Sequence, residues 1–213
     1  ACEEVVKGIK ARGGEATAVA ASISDKAQLE NLVATARKTY GQIDIMVCNA
    51  ASNPYFGPLT GLKEDVFQKI MMNNVMSNLW LMNLVGPEMA ERRDGAFIVV
   101  SSIGALVGSA HIAAYNMSKA ADLSLVKSLA MEWGKHNIRV NAIAPGLIQT
   151  NFARALWENP QIRGAQESKA ALKRIGQPDD IGGVAVFLAS KAGAFVCGQC
   201  IIADGGVIGS GAE

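Results

Sequence analysis

The chain has 213 residues, of which 50% are hydrophobic and 18% are charged, and its formal net charge is +1. This composition excludes a disordered chain, and the near-neutral charge gives no basis for nucleic-acid or anionic-membrane binding. No apolar run reaches the roughly 18 residues that a membrane-spanning helix needs. With no secretory, retention or peroxisomal signal recognisable, we expect one domain over residues 1–213 and a cytoplasmic location.

Helix-like and strand-like stretches alternate along the chain. Apolar spacing and capping or breaking residues predict helices at Cys2–Ala11, Lys26–Tyr40, about Lys63–Arg92 with a bend or end near Gly86-Pro87, about 113–135, and Asp179–Ser190. Short apolar runs predict strands at Ala16–Ile23, Ile43–Cys48, Ala96–Ser101, Ile138–Ala144 and Gln199–Ala203. Strands that are apolar throughout and separated by helices predict an α/β fold, with a parallel sheet covered on both faces.

The cysteines and histidines do not form a predicted metal site. Cys197 and Cys200 have the spacing of a redox motif, but no helix start follows them to lower a thiol pKa, so two ordinary thiols are favoured. His111 and His136 are the only imidazoles, and neither lies in a Cys/His cluster.

Tyr115 and Lys119 are the most informative pair in the chain. Four residues apart on a predicted helix, they share one face. An ammonium beside a phenol favours the phenolate, so we expect Lys119 to lower the tyrosine pKa from its usual value of about 10. The phenol would then serve as a general acid or base near neutral pH. A solvated helix face explains the pair equally well, so the assignment depends on the residues around it.

Other segments accompany this pair in a definite order. Ser102 ends a predicted strand, and Asn74 lies in the run 71–75. The remaining segments are Cys48-Asn49-Ala50-Ala51 after another strand, the run 141–146 ending in Pro145-Gly146, Thr150 shortly after it, and Asp204-Gly205-Gly206. Together with Tyr115 and Lys119, these segments resemble the short-chain dehydrogenase/reductase family over essentially the whole chain.

The resemblance implies a Rossmann-like, doubly wound parallel sheet in three layers, here without its first two strands. Among the family's members, the phrases around Asn49 and Pro145 and the Leu156-Trp157 pair look most like NADP-dependent carbonyl and retinal reductases. It therefore implies reversible reduction of a ketone or aldehyde with NADP, NAD being the alternative cofactor. It also implies a homotetramer, or a dimer, assembled through the two long helices and the last strand.

The resemblance also implies the role of each residue. Tyr115 would protonate the carbonyl oxygen, Ser102 would hold that oxygen, and Lys119 would favour the phenolate and bind the nicotinamide ribose. Asn74, with Asn73 as the alternative register, would hold a water that passes the proton through Lys119. The cofactor-binding set would be Ser22, Asn49, Ala50, Ala51, Tyr115, Lys119, Pro145, Gly146, Ile148 and Thr150. Ser102 and Thr150 are also explained by plain strand-end and turn chemistry.

The chain departs from the family pattern in several places. No glycine-rich phosphate loop follows a first strand, Ser22 stands where the family has an adenine-binding Asp, and Ala51 replaces a glycine. With the family strand order 3-2-1-4-5-6-7, the strand Ile43–Cys48 would expose an apolar edge. We therefore expect the chain to be a fragment of a longer protein; a whole chain of this kind would bind its cofactor poorly.

Two further hypotheses remain open. A 3-oxoacyl-carrier-protein reductase would share the catalytic set, although Arg92-Arg93 and Arg154 are too scattered for a docking patch. A truncated, non-catalytic paralogue would act only in assembly with full-length subunits. The sequence does not reveal the substrate, although the loop 147–176 carries apolar residues that would form a lid, namely Phe152, Leu156, Trp157 and Ile162.

Overall fold

A computed structural model describes residues 2–209 of the chain. Four strands form one sheet in the order β1-β2-β3-β4, and every neighbouring pair is parallel. The strands are β1 (Ile45–Cys48), β2 (Gly95–Val100), β3 (Ile138–Pro145) and β4 (Cys200–Ala203). This arrangement confirms the predicted parallel sheet, and its four strands correspond to the last four positions, 4-5-6-7, of the family order 3-2-1-4-5-6-7.

Helices connect the strands and pack on the two faces of the sheet. They are α1 (Cys2–Ala11), α2 (Lys26–Tyr40), α3 (Glu64–Met71), α4 (Ser77–Arg92), α5 (Ala113–Trp133), α6 (Arg154–Trp157), α7 (Pro160–Lys169) and α8 (Pro178–Ala189). Helix starts follow local chemistry: the Asp25 carboxylate accepts from the Gln28 N–H at the start of α2, and Pro178 opens α8. Within residues 2–209, no helix has both the length and the apolar character that crossing a bilayer requires.

The two faces of the sheet are covered differently. Helices α2, α4 and α5 cover one face, where side chains such as Val33, Met82 and Val126 pack on Phe97 and Val140 of the sheet. Helix α8 covers the other face through a smaller cluster of Ile98, Ile143 and Leu188. The carboxyl ends of all four strands lie at one edge, which is where ligands bind in open α/β sheets.

Strand β1 lies at one end of the sheet and carries apolar side chains that remain exposed. Ile45 is 47% exposed and Val47 is 45% exposed, whereas Cys48 on the opposite face is buried. The apolar edge predicted for the strand Ile43–Cys48 is therefore confirmed. The α8 face is covered over β2 and β3 but not over β1.

The predicted strand at Ala16–Ile23 is wrong. This segment has no regular secondary structure, and β1 pairs only with β2 among the described strands. A β-strand needs a neighbour to accept and donate its backbone hydrogen bonds, and no described strand lies beside this segment. Its Ala21 and Ile23 instead pack against the core under α2.

Of the predicted bend or end near Gly86-Pro87, the end is wrong. Helix α4 continues through Pro87 to Arg92, because Val85 and Met89 on either side of the proline are both buried in the core. The irregularity lies earlier, where α3 passes into α4 through a π-helical turn at Met72–Met76. Such turns insert one extra residue into a helix and are frequent at functional sites.

Candidate active site at the strand carboxyl ends

The predicted site segments meet at the carboxyl edge of the sheet. Asn49 directly follows β1, Ser102 follows β2, and Pro145 ends β3. The parallel register aligns these ends, with Cys48 opposite Val99 and Val100 opposite Ile143. The parallel strands therefore carry polar and turn residues that are far apart in the chain to one edge.

Ser102 and Tyr115 interact across the turn that joins β2 to α5. The Ser102 hydroxyl accepts the Gly104 N–H at 3.0 Å and caps the short turn that follows β2. Hydrogen bonding between Ser102 and the Tyr115 phenol lowers the pKa of the phenol. Phe152 from the segment after β3 lies beside Tyr115, with ring centroids 6.2 Å apart. The hydroxyl, the phenol and an exposed aromatic ring thus lie together.

Burial dominates the ionisation of Tyr115. Removal from solvent and, to a lesser degree, the Asp122 charge outweigh the lowering by Ser102, and together they raise the pKa of Tyr115 to about 12. The predicted lowering of the Tyr115 pKa is therefore wrong. The Lys119 charge is compensated by the Asp122 carboxylate, so the phenol keeps its proton at neutral pH. In this state Tyr115 is a proton donor rather than a base.

Lys119 is buried and anchored. Its ammonium lies 5.8 Å from the centroid of the Tyr115 ring. It donates to the Val100 carbonyl at 2.9 Å and to Asp122 Oδ2 at 3.2 Å. The backbone is held as well, because the Ser101 hydroxyl donates to the Lys119 carbonyl at 2.8 Å. An ammonium has three N–H donors, so these contacts leave one for a ligand.

Asn74 lies in the π-helical turn and is fully buried. Its amide oxygen accepts the Ser52 N–H at 2.8 Å, and its Nδ2 donates to the Ser52 carbonyl at 3.0 Å and to Ser118 Oγ at 2.9 Å. The Asn73 Nδ2 donates to the Ser52 hydroxyl at 3.0 Å. Asn74 joins the loop after β1 to α5, the helix that bears Tyr115, through its bond to Ser118.

The segment after β3 is fixed at three points. Gly146 lies so close to Asp204 that a Cβ on Gly146 would be 2.9 Å from the Asp204 Cα. Ile148 forms a parallel bridge with Gly176. The Thr150 carbonyl accepts the Trp157 indole N–H at 2.7 Å, which ties the start of the apolar segment to α6. Gly146 is required here by close packing rather than by backbone conformation.

The other predicted cofactor residues occupy turns. Asn49 and Ala50 are exposed directly after β1, and Ala51 is half-buried. Ser22 is exposed in the turn before α2, where its hydroxyl bonds Ser24 and its N–H donates to Gln28. A cavity of about 410 Å³ lies at the ends of β3 and β4, between Gly146 and Leu172, and its lining does not include Tyr115.

Sequence reasoning missed three residues of this centre. Ser118 bonds Asn74, Asn78 bonds the Asn74 carbonyl, and Asp122 pairs with Lys119. Asp122 follows Lys119 by three residues on the same helix face, a spacing at which opposite charges meet. That spacing was the signal that could have revealed the pair.

The residues beside Tyr115 fit the nicotinamide half of a dinucleotide cofactor. Lys119 keeps one N–H donor for a ribose hydroxyl, and Ala50 and Ala51 are small enough for close backbone approach. Asn53 Oδ1, in the loop after β1, is a buried acceptor without a protein partner. No strand-to-helix turn within residues 2–209 is a glycine-rich phosphate loop, so the fit covers the nicotinamide and its ribose and not the pyrophosphate.

Comparison with known proteins shows the family to which the chain belongs. The family model described as "Enoyl-(Acyl carrier protein) reductase" matches residues 1–208. "Dehydrogenase/reductase SDR family member 4" of Bos taurus is 39% identical over 204 residues, which cover 96% of this chain and 73% of the relative.

Two solved structures are similar over nearly the whole chain. A gluconate 5-dehydrogenase from Burkholderia cenocepacia in complex with NADP and tartrate has a TM-score of 0.90 and 27% identity, covering 98% of this chain and 81% of that chain. A 7α-hydroxysteroid dehydrogenase complexed with NADH and 7-oxo glycochenodeoxycholic acid has a TM-score of 0.92 and 34% identity, covering 96% and 79%. The chain belongs to the short-chain dehydrogenase/reductase family of NAD(P)-dependent oxidoreductases.

Proposed function

We propose that this protein reduces a ketone or aldehyde to an alcohol, with Tyr115 as the general acid. The observation that carries the proposal is the half-buried Tyr115 phenol, which interacts with Ser102 at the end of β2 and whose pKa is raised to about 12. A phenol that keeps its proton at neutral pH is suited to protonating a carbonyl oxygen. The reverse oxidation needs the phenolate and should become faster at alkaline pH.

Ser102 and Tyr115 act on the carbonyl oxygen of the substrate, and Lys119 acts on the cofactor. Ser102 holds the carbonyl oxygen by a hydrogen bond, and Tyr115 donates its proton to that oxygen. Lys119 uses its remaining N–H on the nicotinamide ribose. The nicotinamide cofactor, when bound, supplies the hydride. Asn74 fixes the loop after β1 against α5. We also propose that Asn74 holds a water molecule through which a proton passes to Lys119.

The proposed cofactor-binding set lies at the same edge of the sheet, apart from Ser22 in the turn before α2. It comprises Ser22, Asn49, Ala50, Ala51, Tyr115, Lys119, Pro145, Gly146, Ile148 and Thr150. We propose NADP as the cofactor. One similar structure holds NADP and another NADH, so the choice between them is a matter for direct measurement.

An apolar substrate of small or medium size fits the surroundings of Tyr115. Phe152 is 62% exposed and Leu156 is 37% exposed, and Phe152 lies beside the phenol. Apolar side chains that are exposed next to a proton donor favour a hydrophobic carbonyl compound.

Exposed Met117 and Met131 on α5 support the proposed homotetramer, in which this helix would pack against another subunit.

The test compares Tyr115→Phe with Tyr40→Phe in the full-length protein. Tyr40 is exposed and donates its hydroxyl to Thr17 far from the strand ends, so its variant is the matched control. With NADPH and aromatic carbonyl probes such as acetophenone and benzaldehyde, Tyr115→Phe should lower kcat by about 10²–10⁴-fold. NADPH binding, followed by fluorescence, should be retained, and Tyr40→Phe should behave as wild type.

Near-normal turnover in Tyr115→Phe would overturn the proposal. If the wild-type protein neither binds NADPH nor turns over any carbonyl probe, the non-catalytic paralogue becomes the better account. A mass measurement of the same sample establishes which length of chain was tested.

A further inference from the structure

Asp122 is a buried carboxylate for which the proposed reaction has no role. It lies on α5, one turn after Lys119, and is 0% exposed. Its Oδ2 lies 3.2 Å from the Lys119 ammonium, and its Oδ1 accepts from Asn78 Nδ2 at 3.0 Å. Both carboxylate oxygens are therefore occupied, one by a charge and one by an amide.

A chain of hydrogen bonds links Asp122 back to Tyr115. Asn78 Nδ2 also donates to the Asn74 carbonyl at 2.8 Å, and Asn74 donates to Ser118 Oγ at 2.9 Å. Ser118 in turn donates to the Tyr115 carbonyl at 2.7 Å. The chain joins α4 and the π-helical turn before it to α5, and it ends at the backbone of Tyr115.

Stability alone does not explain this arrangement. Burial raises the pKa of Asp122, and Lys119 and Asn78 act against that effect. Taking both charges out of water costs several kcal/mol each, and apolar residues of similar volume often replace such pairs without loss. A buried pair in contact with a reacting group therefore calls for a functional reason.

We propose that Asp122 is a positioning residue: its carboxylate anchors the Lys119 ammonium between the end of β2 and the Tyr115 ring and compensates the lysine charge there. The Lys119 contacts with the Val100 carbonyl and Asp122 leave the ammonium one direction in which to donate. The compensated charge no longer draws the proton from Tyr115. Asp122 thereby helps to keep Tyr115 in its protonated form, the form that carbonyl reduction requires.

The titratable groups that face Asp122 are few. On α5 they are Lys119 and Tyr115, and from β1 the buried Cys48 thiol, whose pKa Asp122 also raises. Helix α4 contributes the uncharged Asn78, and β2 contributes the Val100 carbonyl. Because the Asp122 charge opposes ionisation of the phenol, its removal should make proton loss from Tyr115 easier.

The test is Asp122→Asn, with Glu132→Gln as the matched control. Glu132 is an exposed carboxylate on the same helix. Tyrosinate absorbance is recorded after a rapid pH jump, before unfolding, and Tyr115 is isolated by subtracting the same experiment with Tyr115→Phe added. Asp122→Asn should move the Tyr115 titration to lower pH by about one unit, the size of effect expected when one nearby charge is removed. The alkaline limb of the kcat profile should move with it, and Glu132→Gln should move neither.

An unchanged Tyr115 titration in folded Asp122→Asn overturns the inference. If that variant does not fold, Asp122→Glu decides, since it keeps the charge: its Tyr115 titration should stay near wild type, and a shift of about one unit overturns the inference. The inference rests on the proposed function, and the two fail separately. Active Tyr115→Phe sinks the proposed function, whereas inactive Tyr115→Phe with an unmoved titration in Asp122→Asn sinks only the role of Asp122.

Discussion

Helices cover the side chains on one face of the sheet more completely than those on the other. On the face covered by α2, α4 and α5, side chains such as Phe97, Met82 and Val140 are completely buried. On the face covered by α8, Ile98 is buried while Ile45 and Val47 on the neighbouring strand are exposed. This difference in burial indicates which face of the sheet holds the candidate site in place.

The polar centre is built on the fully packed face. Lys119 and Asp122 lie on α5. Asn78 lies on α4, and Asn74 lies in the π-helical turn before α4. A buried polar network keeps one geometry only when the apolar packing around it is close and its own groups are satisfied. We infer that the α4–α5 face holds the reacting groups, and that the incomplete α8 face could change without disturbing them.

The largest expected effect is on the buried ion pair of the packed face. Lys119→Met or Asp122→Leu alone leaves one buried charge without its partner, so each should lower the free energy of unfolding by about 3–5 kcal/mol. The double variant removes both charges and should recover most of that loss. Denaturant unfolding at neutral pH measures all three.

The outcome of the double variant separates two explanations. Recovery means that the loss came from the unpaired charge. A double variant as unstable as the sum of the single ones would show that the side chains matter for packing and not as a pair, and would weaken the contrast between the faces.

A smaller effect compares one substitution at two positions on the α8 face. Ile98→Val removes a methyl group from a site that is 1% exposed, and should cost about 0.5–1.5 kcal/mol. Ile45→Val removes the same group from a site that is 47% exposed, and should cost less than about 0.5 kcal/mol. Thermal unfolding of both variants gives the comparison. Equal losses would mean that Ile45 is covered in solution.

The parallel sheet and the position of the candidate site could be predicted because both depend on patterns that are visible in the sequence itself. Apolar runs predicted the four strands, and Ser102, Asn49 and Pro145 follow or end them. In a parallel sheet such positions meet at one edge. The strand predicted at Ala16–Ile23 was wrong because local β-propensity does not supply a pairing partner.

The electrostatics of the site could not be predicted in the same way. The expected lowering of the Tyr115 pKa considered one neighbour, Lys119, and neglected burial and Asp122. Whether a helix face is solvated or packed against another helix is decided by tertiary structure, and burial changes the sign of the result. The π-helical turn that brings Asn74 to Ser118 likewise has no recognised signal in the sequence.

The central claim is that Ser102 and Tyr115 act together on one substrate oxygen at the carboxyl edge of the sheet. A double-mutant cycle of Ser102→Ala and Tyr115→Phe, measured as kcat/KM for carbonyl reduction with NADPH, tests it most directly. Each single variant should lose about 10²-fold or more, and the double variant should lose little more than the worse single one, because the two groups act as a unit. Losses that multiply, or a Ser102→Ala variant with wild-type kcat/KM, would contradict the claim.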